Sequence, residues 1–328
     1  MSKGLWIGIV SLMSVFALAF QVHAEWSPGG EITAVSFGGV LGNAGDYKWY
    51  YGCSPTSAGM LMGYYDRNGY DGLRYDNLVP GGVAESTTFP ATGPGHLAGN
   101  AIASPGHIAD FWVGYGQSGN DPLASGRTIP DDFNCLADFM GTSQDNLDTD
   151  GYDNSDGGTS FWNYTDGSQL SYTAIESLGY NYYNTSGMYG IYEYVTYAGY
   201  DVASLYNQDT YNGYQDGSGF TFDDAKAEID AGRPFLVHVV GHSMFGYGYD
   251  DPTNTLYVHD TWGEGQHSMI WDATPTYSGG GYSNLALQSV TVMELTGGAV
   301  PEPSTLVGLV SMAAAGLLLA WKSKRGRS

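Results

Sequence analysis

Positive charge is scarce in this 328-residue chain, where 11 Lys and Arg stand against 34 Asp and Glu for a net charge of −23. Five of the 11 lie at the two ends: Lys3, Lys322, Lys324, Arg325 and Arg327. Such a surface repels phosphate backbones and anionic lipid, which excludes a nucleic-acid partner. It attracts cations, calcium above all, or serves as the solvated surface of an exported acidic protein. Cysteine is scarcer still, with only Cys53 and Cys135. Two thiols cannot form a disulfide framework. A single Cys53–Cys135 bond is the structural alternative to a reactive thiol in an exported chain. No internal repeat of fixed period is present. Long apolar runs are confined to the ends, and the roughly 275 residues between them can bury a core without covalent staples.

The ends carry their own signals. Residues 1–24 hold Lys3, an apolar run from Leu5 to Phe20, and Val22-His23-Ala24 before Glu25, which reads as a secretory signal with a small residue at the cut. At the other end Val300-Pro301-Glu302-Pro303-Ser304 precedes the apolar stretch Leu306–Trp321 and the basic run Lys322–Arg327. The apolar stretch is somewhat shorter than the about 20 residues of a comfortable span, and the basic tail would stay cytoplasmic. Residues 300–328 resemble the PEP-CTERM sorting signal, with Pro301-Glu302-Pro303 matching its motif. The resemblance implies exosortase as a processing partner. It also implies a transient membrane helix, then residence at the cell surface or in the matrix of a Gram-negative bacterium that makes exopolysaccharide. The plain alternative is an uncleaved anchor.

Cys53 is the residue with the most chemical meaning. It stands in Trp49-Tyr50-Tyr51-Gly52-Cys53-Ser54-Pro55-Thr56, where an irregular stretch turns helical. Pro55 suits a first helical turn and Ser54 is the expected cap. Ala58, Leu61, Met62 and Tyr65 share one face at helical spacing. A thiol at a helix N-terminus feels the positive end of the dipole, which favours the nucleophilic thiolate. Its expected partners lie far downstream. Phe235–Asp250 reads as two strands meeting at Gly241-His242, Asp251–Asn254 as a turn, and Leu256–His259 as a third strand ending at Asp260. That hairpin can bring His242 and Asp260 together. A base to take the thiol proton and an acid to hold the imidazole in one tautomer are what a cysteine nucleophile requires.

These segments, with Ala231-Gly232-Arg233-Pro234 ahead of the hairpin, resemble papain-like cysteine peptidases, and among them the bacterial branch that cleaves double-glycine leader peptides. The resemblance implies an α+β fold with a helical lobe followed by an antiparallel sheet. It also implies Cys53 as nucleophile, His242 as general base, Asp260 as orienting acid, and Trp262 as a shield over the His–Asp hydrogen bond. No cofactor is required by this chemistry. The middle of the chain is not covered. The family's usual Gln six residues before the Cys is Tyr47 here, so the Tyr47 hydroxyl, the Trp49 indole or the Cys53 backbone N–H is the expected oxyanion donor. The resulting expectation is a secreted thiol peptidase acting on a peptide or protein, with a single catalytic domain over residues 25–299. The alternative is an inactive relative that binds peptide or exopolysaccharide.

Elsewhere a first strand is expected at Ile32–Phe37, a short helix from His107, an amphipathic helix around Cys135, and helices at Tyr172–Leu178 and Phe222–Ala231. The latter is capped by Thr221 and stopped by Gly232. Val202–Gly219 reads as a polar stretch, and Leu285–Leu295 as a last strand. Asn146, Asp148 and Asp150 match the first three ligand positions of a calcium loop, followed by Gly151. Position twelve is Gly157 rather than Glu, so the expectation is at most a weak calcium-stabilised loop, and otherwise a polar insertion. His238 is expected in the core beside Val237 and Val239, and His259 on the sheet face opposite Asp260. The 27 tyrosines read as the surface of an exported β-rich protein before a carbohydrate-stacking one.

Overall fold

The computed structural model describes residues 5–9, 38–47, 49–76, 78–79, 101–103, 135–142, 157–210, 217–272 and 274–296. Strand β1 (Leu5–Ile9) pairs antiparallel with β3 (Ser160–Tyr164) as a separate ribbon. The main sheet holds β2 (Gly38–Val40), β4 (Leu170–Ser171), β5 (Asp201–Asp209), β6 (Phe235–Val239), β7 (His242–Asp250), β8 (Thr255–His259), β9 (His267–Ile270), β10 (Thr276–Gly279) and β11 (Tyr282–Thr296). Its order is β4-β5-β11-β6-β7-β8-β9, with β10 on β11 and β2 on β7, and the pairing between these strands is antiparallel. The helices are α1 (Cys53–Asn68), α2 (Leu136–Phe139), α3 (Tyr172–Leu178), α4 (Tyr180–Tyr183), α5 (Gly187–Tyr197) and α6 (Phe222–Asp230). Helices before a large antiparallel sheet give the α+β class.

Alternation along β6 divides the core. Leu236 joins a cluster with Met60 and Leu61 of α1 and Ile191 of α5, whereas Phe235, Val237 and Val239 join a second one with Ala225 and Ile229 of α6. On β7, Phe245 and Tyr247 belong to the α1 side and Met244 and Tyr249 to the α6 side. That phase change falls at the irregular register between Gly246 and Gly248, where the strand accommodates an extra residue. Helix α6 begins as the sequence predicts. Thr221 Oγ1 accepts from the Asp224 N–H and Asp224 accepts from the Thr221 N–H, a reciprocal cap worth about 1 kcal/mol.

Two regions depart from expectation. Val202–Gly219 was expected as a polar stretch, yet Asp201–Asp209 is a strand beside β11. Its polar residues are buried because their amides find carbonyls: Asn207 Nδ2 donates to Trp162 O at 2.9 Å, and Gln208 Nε2 to Gly167 O at 2.8 Å and Ser218 O at 2.7 Å. Helix α5, rich in Tyr and Gly, carries no clear helical pattern. It forms because Met188, Ile191, Tyr194 and Val195 are buried in the α1-side core. The expected strand at Ile32–Phe37 and the helix from His107 lie outside the described residues. Around Cys135 only the four residues of α2 are helical among those described.

No helix among the described residues is long and apolar enough to cross a membrane. The C-terminal stretch 300–328 lies outside them.

Candidate active site

Helix α1 opens on Cys53, but its cap is Gly52 rather than Ser54, with φ 145° and ψ 142°. Only glycine suits that conformation, and a Cβ there would come within 2.9 Å of both Gly157 O and the Pro55 ring. Tyr51, just before it, has φ 54°. Thr56 holds this unusual turn in place. Its Oγ1 donates to Gly52 O at 2.6 Å and accepts from the Tyr50 N–H at 3.0 Å. The Trp49 N–H donates to Thr261 O at 2.6 Å, which ties the approach to Cys53 to the segment following β8. Thr261, a β-branched residue at φ 63°, is itself a backbone outlier. Three uncommon backbone conformations thus gather around one thiol and one imidazole, as they do where a fold holds groups in working positions.

His242 begins β7 and is wholly buried. Its Nε2 lies 2.5 Å from the backbone carbonyl of Asp260. A carbonyl only accepts, so Nε2 carries the proton and Nδ1 presents a lone pair. Nδ1 is buried with no hydrogen-bond partner. Burial pushes the imidazole down to about 3, against which the Asp260 carbonyl acts weakly, so the ring is neutral near pH 7. Trp262 stacks flat on it, centroids 3.9 Å apart and planes 17° from parallel. Two bonds seat the start of α1 on this strand: Ser54 Oγ lies 2.9 Å from Ser243 Oγ, and Ser57 Oγ donates to Ser243 O at 3.1 Å. The residue after Cys53 is therefore bonded to the residue after His242.

The carboxylate expected to orient the imidazole is turned elsewhere. Asp260 Oδ1 accepts from the Trp262 N–H at 3.1 Å, while Oδ2 accepts from the Tyr277 hydroxyl and lies 3.5 Å from His267 Nδ1. The reason is local. The turn at Thr261 presents the Asp260 carbonyl to the ring and leaves its side chain to neighbours on β9 and β10. Tyr277 and His267 were not legible as partners of this residue, since they lie on strands remote in sequence and no spacing signals them.

Tyr47 does not stand where an oxyanion donor belongs. Its hydroxyl accepts from Arg67 Nη1 at 3.0 Å and packs so closely on Gly63 that a Cβ there would meet it at 2.6 Å. Gly63 is ten residues along α1, about 15 Å from the Cys53 end at helical rise. The Trp49 ring lies over Gly157. The remaining expected donor, the Cys53 N–H, lies in the first turn of α1. A groove of about 540 Å³ lined by Tyr64, Tyr70, Leu73 and Arg74 lies at the far end of α1.

Cys53 and Cys135 are both buried, and no disulfide joins them. Asn146, Asp148 and Asp150 lie outside the described residues. Among the described residues no group of three His, Cys, Asp or Glu is placed to hold a metal ion. His259 stacks on Tyr247, with Nδ1 bonded to Gly265 O at 2.8 Å and 3.6 Å from Asp46.

A helix-start thiol, a neutral imidazole with one open nitrogen and a tryptophan lid can perform nucleophilic acyl transfer. No curated protein and no solved structure matches the chain. The model of the peptidase C39-like family does, over residues 41–285, a span that includes Cys53, His242, Asp260 and Trp262. That span is well over half of the chain, and this protein belongs to the peptidase C39-like family of cysteine peptidases.

Proposed function

We propose that the protein is an exported thiol peptidase in which Cys53 attacks the peptide carbonyl and His242 is the base. The observation that carries this reading is the state of His242. Its Nε2–H is committed to the Asp260 carbonyl, and its buried Nδ1 has an open lone pair. In the first step that lone pair takes the Cys53 proton and the thiolate forms a bond to the carbonyl carbon. The oxyanion gathers at the α1 N-terminus, where the Cys53 N–H and the helix dipole favour negative charge. The imidazolium returns the proton to the leaving amine. Water, deprotonated by the same nitrogen, then releases the acid from the thioester. Asp260 orients the ring through its carbonyl, and Trp262 keeps water from that bond. A papain-like arrangement of the lobes fits the α+β order.

The test is turnover of a peptide library by the secreted form, together with labelling by a thiol-directed acylating inhibitor. Label on Cys53 that disappears in His242→Ala supports the reading. No turnover and no label overturns it. One observation favours the inactive alternative, binding of peptide or exopolysaccharide: Cys53, His242 and Asp260 are all fully buried. Export and exosortase processing are proposals on the end motifs alone. Intact mass of the extracellular protein decides them, with residues 1–24 and the tail after Pro303 missing if both hold.

A further inference from the structure

The proton of Cys53 has a second route out, which leads through hydroxyl groups into the sheet. The thiol lies 4.0 Å from Ser54 Oγ, Ser54 Oγ lies 2.9 Å from Ser243 Oγ, and Ser243 Oγ lies 2.8 Å from His238 Nδ1. Beyond the ring, His238 Nε2 lies 2.8 Å from Thr291 Oγ1, and Thr291 Oγ1 donates to Asn207 Oδ1 at 2.6 Å. Asn207 Nδ2 ends the chain on the carbonyl of Trp162, 2.9 Å away. Each side chain in it is buried.

The far end fixes the direction of every proton. A carbonyl cannot donate, so the Asn207 group facing Trp162 is the amide nitrogen and the group facing Thr291 is the oxygen. The single Thr291 proton goes to that oxygen, so Thr291 accepts from His238 and the His238 proton sits on Nε2. His238 Nδ1 therefore holds a lone pair and takes the Ser243 proton. Ser243 takes that of Ser54, which leaves Ser54 Oγ as an acceptor facing the thiol. Six groups on α1, β5, β6, β7 and β11 thus form one polarised line that ends at the nucleophile.

We propose that His238 is a second proton acceptor for Cys53, reached through Ser54 and Ser243. The proposal rests on Cys53 being the nucleophile. In the transfer, the S–H bond breaks as a Ser54 O–H bond forms. The original Ser54 proton passes to Ser243, and the original Ser243 proton passes to His238 Nδ1. The products are a thiolate and an imidazolium, with no atom or electron unaccounted for. The chain is then reversed: His238 donates to Ser243, Ser243 to Ser54, and Ser54 to the thiolate. Each bond that carried the proton away now stabilises the charge left behind. His242 is the titratable group that acts on His238, from the start of β7, and burial pushes both rings down to about 3, so desolvation favours neither. Phe161 from β3, stacked at 4.1 Å, and Thr291 from β11 are uncharged.

The experiment is alkylation of Cys53 in the full chain by iodoacetamide, read by peptide mass between about pH 5 and 10, where thiols and imidazoles titrate. His242→Ala is expected to keep a residual pH-dependent rate, and adding Ser243→Ala to lower it by about 10²-fold. Thr291→Val, which removes the acceptor fixing the His238 tautomer, should lower the His242→Ala rate as well, and Thr291→Ser should restore it. A Ser243→Ala addition that leaves the His242→Ala rate and profile unchanged overturns the proposal. So does a Thr291→Val variant indistinguishable from Thr291→Ser, which also decides the matter if Ser243→Ala does not fold. Failure of the parent reading looks different: wild-type Cys53 then alkylates no faster than a free thiol at any pH.

Discussion

The two cysteines are near-equivalents by position and opposites by company. Each stands at the start of a helix, each is buried, and neither is in a disulfide. Cys53 opens a helix of 16 residues and lies beside Ser54, one bond from the strand of His242. Cys135 caps a helix of four and donates its proton to Asp138 Oδ2 at 2.9 Å. A thiolate beside a carboxylate is repelled, whereas a thiol whose hydroxyl neighbours lead to a neutral imidazole has somewhere to send its proton. A helix start is therefore not enough to make a nucleophile. The neighbour decides, and the neighbour comes from another part of the chain.

The sharpest break of this comparison is substitution at each thiol. Cys53→Ala is expected to abolish peptide hydrolysis and inhibitor labelling, because no other group can form the thioester. Cys135→Ala should leave both intact, as peptide-mapped labelling would establish. Label that follows Cys135 instead would reverse the assignment. Next in size, His242→Ala should lower turnover by about 10²- to 10⁴-fold, the usual reach of a general base. Asp260→Ala should cost less, because the carbonyl that holds the ring survives the change. Steady-state rates of the two variants side by side test this, and equal losses would mean that the carboxylate matters as much as the base.

Backbone strain separates the two helix starts as well. Gly52→Ala is expected to destabilise the protein by about 1–3 kcal/mol, since a left-handed φ would be forced on a residue with a Cβ. Urea denaturation reads that cost. The pH dependence follows from four buried imidazoles. Burial holds His238 and His242 at about 3, and His259 and His267 at about 4. All four lie below the ordinary 6.5, so as pH falls the unfolded chain binds protons that the folded one refuses. Stability is full above about pH 6.5 and declines toward pH 4 and then 3, each ring adding a slope of up to about 1.4 kcal/mol per pH unit. Denaturant midpoints that stay flat from pH 7 to about 4.5 would contradict the burial of these rings. The smallest expected effect is at the other thiol. Asp138→Asn should cost about 1 kcal/mol, one hydrogen bond, and leave Cys53 chemistry untouched.

How far the sequence reached depends on the kind of signal. Thr221 was legible as a cap, and the structure keeps it and adds Asp224 as its reciprocal partner. Phe235–Val239, His242–Asp250 and Thr255–His259 follow the strand pattern closely, because alternation and the turn at Asp251–Asn254 are local rules. Strand β5 was hidden, since Asn207 and Gln208 read as exposed until carbonyls from residues far away in the chain satisfy them. Tyr47 was misplaced as a donor for a similar reason. Its position six residues before Cys53 says nothing about the Arg67 guanidinium that draws its hydroxyl to the other end of α1.

The sequence alone pointed to the nucleophile candidate and its helix and to the histidine at the strand start, through short-range spacing, and to the residue two positions after Asp260, through the family resemblance. Only the tertiary structure decided which atom of Asp260 meets the imidazole and where the carboxylate turns instead. It also decided that Ser54 joins a hydrogen-bond line through His238 rather than capping its helix. Proton direction in a buried network is set by whichever group can only accept, and here that group is the carbonyl of Trp162, more than a hundred residues from the thiol in sequence.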